Sequence, residues 1–283
     1  MFTLRTFAAV LTCATVIVRA ADAPVSGAHA ISYPSDGLTI TGMLALPGNS
    51  APSPLLLINH GGFEPAKGSQ PLIEMFARLG YVVLASDYRG VAGSQGKREV
   101  AKGEIDDVLN AIQFARALPE VDPKRTVMLA FSHGGAIALH AAARDSSIGA
   151  IVTVGAPIEF ADCYRHWVET VGRQPELKPL VALSTIVGGT PQELPAAWKE
   201  RSALYVADKI KCPVLLIQGG KDTAIPVEQA QRMAEALKQT GNTGIELVID
   251  PEAGHVLDKA AYDRLGKRLI GFLNANAGLR PLP

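Results

Sequence analysis

Ser132 lies in the run Ala130-Phe131-Ser132-His133-Gly134-Gly135, between an apolar stretch and a segment of helical periodicity. Strand, sharp turn and helix in that order make a nucleophile elbow, which pushes the serine hydroxyl out at the strand's end. Gly134 leaves room for the helix to pack close to the strand. The helix N-terminus favours negative charge near the serine oxygen. The usual pattern is Gly-x-Ser-x-Gly; here Ala130, the smallest substitute, takes the first glycine's place. A serine hydroxyl is a poor nucleophile at neutral pH and needs a base held by an acid. Behind such an elbow the acid comes next in the chain and the histidine last. Gly219-Gly220-Lys221-Asp222 follows the apolar run 214–218, and Asp250-Pro251-Glu252-Ala253-Gly254-His255 follows the run 245–249. Both side chains therefore fall just past a strand's carboxyl end, like Ser132. Ser132 is read as nucleophile, His255 as general base and then acid, and Asp222 as the group that orients His255. Glu159, past the end of an earlier strand, is the alternative acid.

A tetrahedral intermediate also needs hydrogen-bond donors for its oxyanion. Asn59-His60-Gly61-Gly62-Phe63 closes another apolar run, and its glycines let backbone amides approach a ligand. The amides of Gly62 and His133 are the expected oxyanion hole. His60 is read as a structural hydrogen-bonding residue. His29, His140 and His166 have no partner motif. No His-Glu-x-x-His or Cys-x-x-Cys occurs, and Gly96-Lys97 lacks the rest of a phosphate loop. Neither metal nor other cofactor is expected. Cys212 should sit at the amino end of its strand and Cys163 beyond the opposite edge. That exceeds the roughly 7 Å between Cα atoms that a disulfide spans, so two free thiols are expected.

These residues need elements to hold them. Residues 29–33 and 38–46 read as two strands around the turn 34–37, and the alternation in the second marks an antiparallel edge. The runs 54–59, 81–85, 126–131, 148–154, 214–218 and 245–249 are apolar without alternation, as in strands buried on both faces. Between them, residues 70–79, 103–118, 134–144, 227–239 and 260–274 carry apolar positions at helical spacing. Alternating strand and helix predicts a doubly wound, mostly parallel α/β sheet with right-handed crossovers. One domain is expected over residues 21–283. Residues 158–205 separate two strands by more than a normal crossover and hold both tryptophans, Trp167 and Trp198. They read as a lid over the carboxyl end of the sheet, where ligands of open α/β sheets bind.

The chain has 283 residues, 48% hydrophobic and 19% charged, with 27 basic and 27 acidic side chains. That composition excludes a disordered chain and supplies no basic excess to attract nucleic acid. A neutral surface permits self-association without specifying it. At the N-terminus, Arg5 precedes the apolar residues 7–18, too few for a bilayer span of about 20. Val18 and Ala20 fit a cleavage site. Residues 1–20 are thus expected to be a signal peptide, giving an exported protein, periplasmic or extracellular, with no stable membrane insertion after cleavage.

The constellation resembles the α/β-hydrolase superfamily, and within it the catalytic domain of the prolyl oligopeptidase (S9) group and its dienelactone hydrolase-like relatives. Four segments within residues 38–275 carry the resemblance. His60-Gly61-Gly62 matches the oxyanion loop. Asp87-Tyr88-Arg89-Gly90 with Gly93 and Gly96 matches the Tyr-Arg-Gly loop. Val121-Asp122-Pro123-Lys124-Arg125 leads into the elbow. Gly188-Gly189-Thr190-Pro191, Arg201-Ser202 and the run from Ile210 to Gly219 lead to Asp222. The resemblance implies an α/β-hydrolase fold and acyl transfer. Peptidases of the group usually carry a β-propeller ahead of the catalytic domain, for which residues 21–37 leave no room. Many also place a tyrosine where His60 stands. The expectation is therefore a serine hydrolase with esterase activity favoured over cleavage of short peptides. A non-catalytic binding module on the same scaffold is the alternative of another class.

Overall fold

The computed structural model describes residues 25–49 and 51–280. Eight strands form one sheet: β1 (His29–Ser35), β2 (Leu38–Ala45), β3 (Ser53–Asn59), β4 (Val82–Ser86), β5 (Val121–Phe131), β6 (Ile148–Val154), β7 (Val214–Gly219) and β8 (Ile245–Asp250). Their order is β1-β2-β4-β3-β5-β6-β7-β8. β1 pairs with β2, and β2 with β4, antiparallel; every other pairing is parallel. The sheet is thus the expected α/β-hydrolase arrangement, with an antiparallel edge at its start. β3, β4 and β7 are buried along their whole length, which is why their sequences lack alternation. β8 departs from the reading: it is half-exposed, with Ile249 at 38% exposure. Its apolar run sits at the sheet edge, where only one neighbour strand covers it.

Helices cover both faces. α1 (Gln70–Arg78) and α9 (Lys259–Ala277) bury Phe76, Leu265, Leu269 and Leu273 on one side. α2 (Gly103–Arg116), α3 (His133–Arg144) and α8 (Val227–Gln239) bury Val108, Ile137, Met233 and Leu237 on the other. Between β6 and β7 the long excursion folds into α4 (Phe160–Thr170), α5 (Lys178–Val181), α6 (Leu183–Val187) and α7 (Pro195–Arg201), with 3-10 turns at Pro175–Leu177 and Ala203–Lys209. Both tryptophans are core fillers. Trp198 packs on Tyr164 with ring centroids 4.9 Å apart and donates to the Gly189 carbonyl. Trp167 donates to the Ala224 carbonyl at 2.7 Å, and a His166 nitrogen lies 2.9 Å from the Thr223 carbonyl. The excursion is thereby fastened to the loop after β7.

A buried ion pair ties the antiparallel edge to the helical layer. Asp107 of α2 receives two guanidinium hydrogen bonds from Arg89, at 2.9 and 3.0 Å, one from the Arg89 amide at 2.8 Å and one from the Ser35 hydroxyl at 2.7 Å. Its carboxylate is fully buried, so every lone pair must find a donor within the protein. Tyr33 of β1 adds a hydrogen bond to the Asp107 carbonyl. Removing one partner of such a pair strands the other charge. Asp107→Ala is therefore expected to lower unfolding free energy by about 3 kcal/mol in urea titration. Asp36→Ala removes a carboxylate 3.6 Å from Arg89 but 57% exposed, and should cost less than about 1 kcal/mol.

Candidate active site

Ser132 joins β5 to α3 with φ 48° and ψ −123°, a conformation that a residue with a Cβ adopts only under constraint. Its amide donates to the Val154 carbonyl at 2.8 Å and so extends the β5–β6 ladder by one residue. α3 then starts against the end of β3. A Cβ at Gly134 would stand 2.3 Å from the Asn59 carbonyl oxygen, so glycine is required for this approach. The elbow read from the sequence is present, with the helix beginning one residue earlier, at His133.

The structure brings Ser132, His255 and Asp222 together from three loops at the carboxyl edge of the sheet. His255 Nε2 is 3.0 Å from Ser132 Oγ, and His255 Nδ1 is 2.8 Å from Asp222 Oδ2. A carboxylate only accepts, so the ring carries its proton on Nδ1 and presents a bare Nε2 to the serine hydroxyl. The Asp222 side chain is completely buried while that of His255 keeps some exposure. Burial of that carboxylate is compensated by the amides of Ala224 and Ile225, at 2.9 and 2.8 Å from Oδ1, and by the Gln218 side-chain amide, 3.0 Å from Oδ2. Beneath the pair lies Gly155, with φ 60°; a Cβ there would approach Asp222 Oδ2 and His255 Nδ1 to 3.3 Å.

Gln218 and Gly155 were not singled out by the sequence. The available signals were a lone amide closing the apolar run 214–218 and a glycine directly after β6. Gln218 Nε2 also donates to the Ile225 carbonyl at 3.0 Å, which orients the amide with its NH2 group towards Asp222. Glu159, the alternative acid, caps α4 instead: its carboxylate accepts from the amides of Ala161 and Asp162 at 3.3 and 2.7 Å. Burial pushes its pKa up.

Gly62 follows β3, and His133 is the first residue of α3, where the amide has no intrahelical acceptor. Among the described residues neither amide donates to a backbone carbonyl. His60 is buried; its Nε2 lies 2.8 Å from the Ser86 carbonyl and its ring tilts on Tyr88. Burial lowers its pKa and keeps it neutral. It is a structural residue, as read. Cys163 and Cys212 are free thiols, and burial pushes the Cys163 thiol well above its usual range, which leaves it unreactive. Among the described residues no cluster of three or more His, Cys, Asp or Glu side chains could hold a metal.

Chemically, this arrangement can strip a proton from a serine hydroxyl as it attacks, since His255 Nε2 lies within hydrogen-bond reach of Ser132 Oγ. Gln218 shares Oδ2 of Asp222 with His255, so its loss should loosen the acid without touching substrate. Gln218→Leu is expected to lower kcat for a chromogenic ester about tenfold with KM little changed. Steady-state kinetics on the folded variant checks this; an unchanged kcat would count against a positioning role for Gln218.

The comparisons with known proteins agree with this fold. The peptidase YtmA of Bacillus subtilis, itself uncharacterized, is 29% identical over 214 residues, covering 75% of this chain and 79% of the relative. The acylaminoacyl peptidase of Pyrococcus horikoshii superposes with a TM-score of 0.75 at 19% identity, over 89% of this chain but 42% of that one. An esterase of Pyrococcus furiosus superposes with a TM-score of 0.70 at 21% identity, over 89% of this chain and 91% of that one. Residues 69–279 match the model of the prolyl oligopeptidase family. The chain belongs to the prolyl oligopeptidase family and is a serine hydrolase.

Proposed function

We propose that this protein cleaves carboxylic esters through an acyl-enzyme formed on Ser132. The observation that carries the proposal is the unbroken hydrogen-bond chain from Ser132 Oγ through His255 to the buried Asp222 carboxylate. Ser132 Oγ attacks the ester carbonyl carbon while its proton passes to His255 Nε2. The carbonyl oxygen gains the negative charge and accepts hydrogen bonds from the amides of Gly62 and His133. Asp222 holds the ring in register and stabilises the imidazolium. Collapse breaks the bond to the leaving oxygen, which takes the proton from His255. Water then repeats the sequence, giving up its proton to His255, and the acid product leaves Ser132 with its hydroxyl restored.

Esters are favoured because an alkoxide or phenoxide departs with little protonation, whereas an amide nitrogen must be protonated in good register. The second reading, a peptidase acting on short peptides, draws on the likeness to YtmA over three quarters of this chain. Export belongs to the proposal as well. It rests on Arg5, the apolar residues 7–18 and the small residues before position 21, which lie outside the described residues.

Short-acyl p-nitrophenyl esters assayed beside aminoacyl and prolyl p-nitroanilides separate the readings. Ester turnover with inert anilides is expected. Ser132→Ala should lower kcat by on the order of 10⁵-fold. Anilide turnover comparable to ester turnover would establish the peptidase reading instead, and full activity in Ser132→Ala would remove the acyl-enzyme. For export, the protein recovered from expressing cells should begin at Ala21 by intact mass; retention of residues 1–20 would exclude a cleaved signal.

A further inference from the structure

His133 enters the proposed reaction only through its backbone amide, yet its side chain is one of the most constrained polar groups near Ser132. The imidazole is buried, 8% exposed, between the rings of Phe63 and Tyr88, whose centroids lie 5.6 and 6.4 Å away. Its Nε2 accepts a hydrogen bond from the Ala101 amide at 2.9 Å. An imidazole that accepts at Nε2 carries its hydrogen on Nδ1. That Nδ1 is buried without a hydrogen-bond partner, and the Gly62 backbone carbonyl lies beside the ring. A buried donor left without a partner is costly, which is a reason for it to be used. Contacts of this kind are often loose in the free enzyme and tighten when the reacting group binds.

The partner on the other side is built with equal care. Val100 and Ala101 hold φ values of 62° and 52°, unusual for residues with a Cβ. The buried Glu104 carboxylate collects the amides of Glu99, Val100 and Lys102 at 2.7, 3.0 and 3.1 Å. Glu99 in turn accepts from the Gly103 amide. One amide of this segment, that of Ala101, is left over, and it points at His133.

We propose that the His133 imidazole is a positioning group for the oxyanion hole, bridging the Ala101 amide and the Gly62 carbonyl so that the amides of Gly62 and His133 face one point. The bridge links a loop after β3 to the elbow after β5, which no backbone hydrogen bond joins at this place. Charge develops on the substrate oxygen only in the transition state, so a displaced donor lowers kcat and leaves ground-state binding alone. Neutral imidazole is required, since a proton on Nε2 would oppose the Ala101 N–H. Burial lowers the His133 pKa and keeps it neutral.

This inference rests on the oxyanion assignment made above, and one set of variants tests it. His133→Phe keeps the ring packing and the backbone amide but removes both nitrogens. It should lower kcat on a short-acyl p-nitrophenyl ester by roughly thirtyfold, with KM within about twofold. A trifluoromethyl ketone, whose hemiketal oxyanion occupies the same hole, should lose affinity in parallel. His133→Gln can accept from Ala101 and donate towards Gly62, and should recover most of kcat. A merely structural side chain would instead lower stability while the folded fraction kept its kcat. A His133→Phe variant within threefold of wild-type kcat, or a loss shared equally with KM, overturns the proposal. Should the Phe variant not fold, Glu104→Gln decides, because it frees the loop that presents Ala101 and leaves His133 in place. A loss confined to kcat supports the bridge, and an unchanged kcat overturns it. Failure of the underlying reading would show separately, as turnover that survives Ser132→Ala.

Discussion

Ser132 holds a backbone conformation that a residue with a Cβ avoids, and much of the surrounding packing can be traced to keeping it there. Such strain costs on the order of 1–3 kcal/mol and persists only where neighbours over-determine it. Three do so here. The Val154 carbonyl takes the Ser132 amide, the Asn59 carbonyl lies where a Cβ on residue 134 would stand, and Ala156 lies where one on residue 135 would stand. These contacts come from β6, from the end of β3 and from the loop after β6. The elbow is therefore stable only when the central strands are paired in register. The placement of the Ser132 hydroxyl is thus a product of the whole sheet rather than of its own turn.

The same register delivers the partners. β5 pairs with β3 and β6, β6 with β7, and β7 with β8, all parallel, so the loops after these strands open on one edge. Asp222 follows β7 and His255 follows β8. Gly219 and Asp250 stand opposite one another at the last rung of that ladder, so both loops start level and His255 can reach from the acid to the serine. The acid loop is braced from the far side by Trp167 of the excursion, through Ala224. A segment that looks like an accessory to the sheet is thereby also a support for the acid.

Buried carboxylates recur as loop anchors. Asp107 gathers Arg89 and Ser35, Asp87 accepts from the Ala66 amide and the Thr41 hydroxyl, and Glu104 gathers three amides of the loop before α2. Each charge is compensated by several short hydrogen bonds, which is what makes its burial tolerable. The consequence is a set of loops with fixed backbones beside the elbow, one of which reaches it through the Ala101 amide on the His133 ring.

Most of the fold was legible as pattern. All eight strands and the helices α1, α2, α3, α8 and α9 lie where apolar runs and helical spacing place them, because burial on two faces or one leaves a periodic trace in residue types, whereas α4 in the excursion was not read as a helix. Ser132, Asp222 and His255 were legible for a related reason: each falls within a short turn just past a strand's carboxyl end, so its local neighbours reveal its edge of the sheet. Other matters had no local signature. Whether the run 245–249 is central or an edge depends on how many strands flank it, and β8 has one. Glu159 and Asp222 occupy similar positions in the chain, and only the packing of α4 shows that the first caps a helix while the second meets His255. Gln218 meets Asp222 across the turn after β7, and the His133 ring meets the Ala101 amide 32 residues back in the chain, contacts that only the folded loops bring about. Residue type and spacing therefore establish which chemistry the chain carries and along which edge. The tertiary structure decides which donors and acceptors meet there, because hydrogen bonds require distances of about 3 Å that only long-range packing sets.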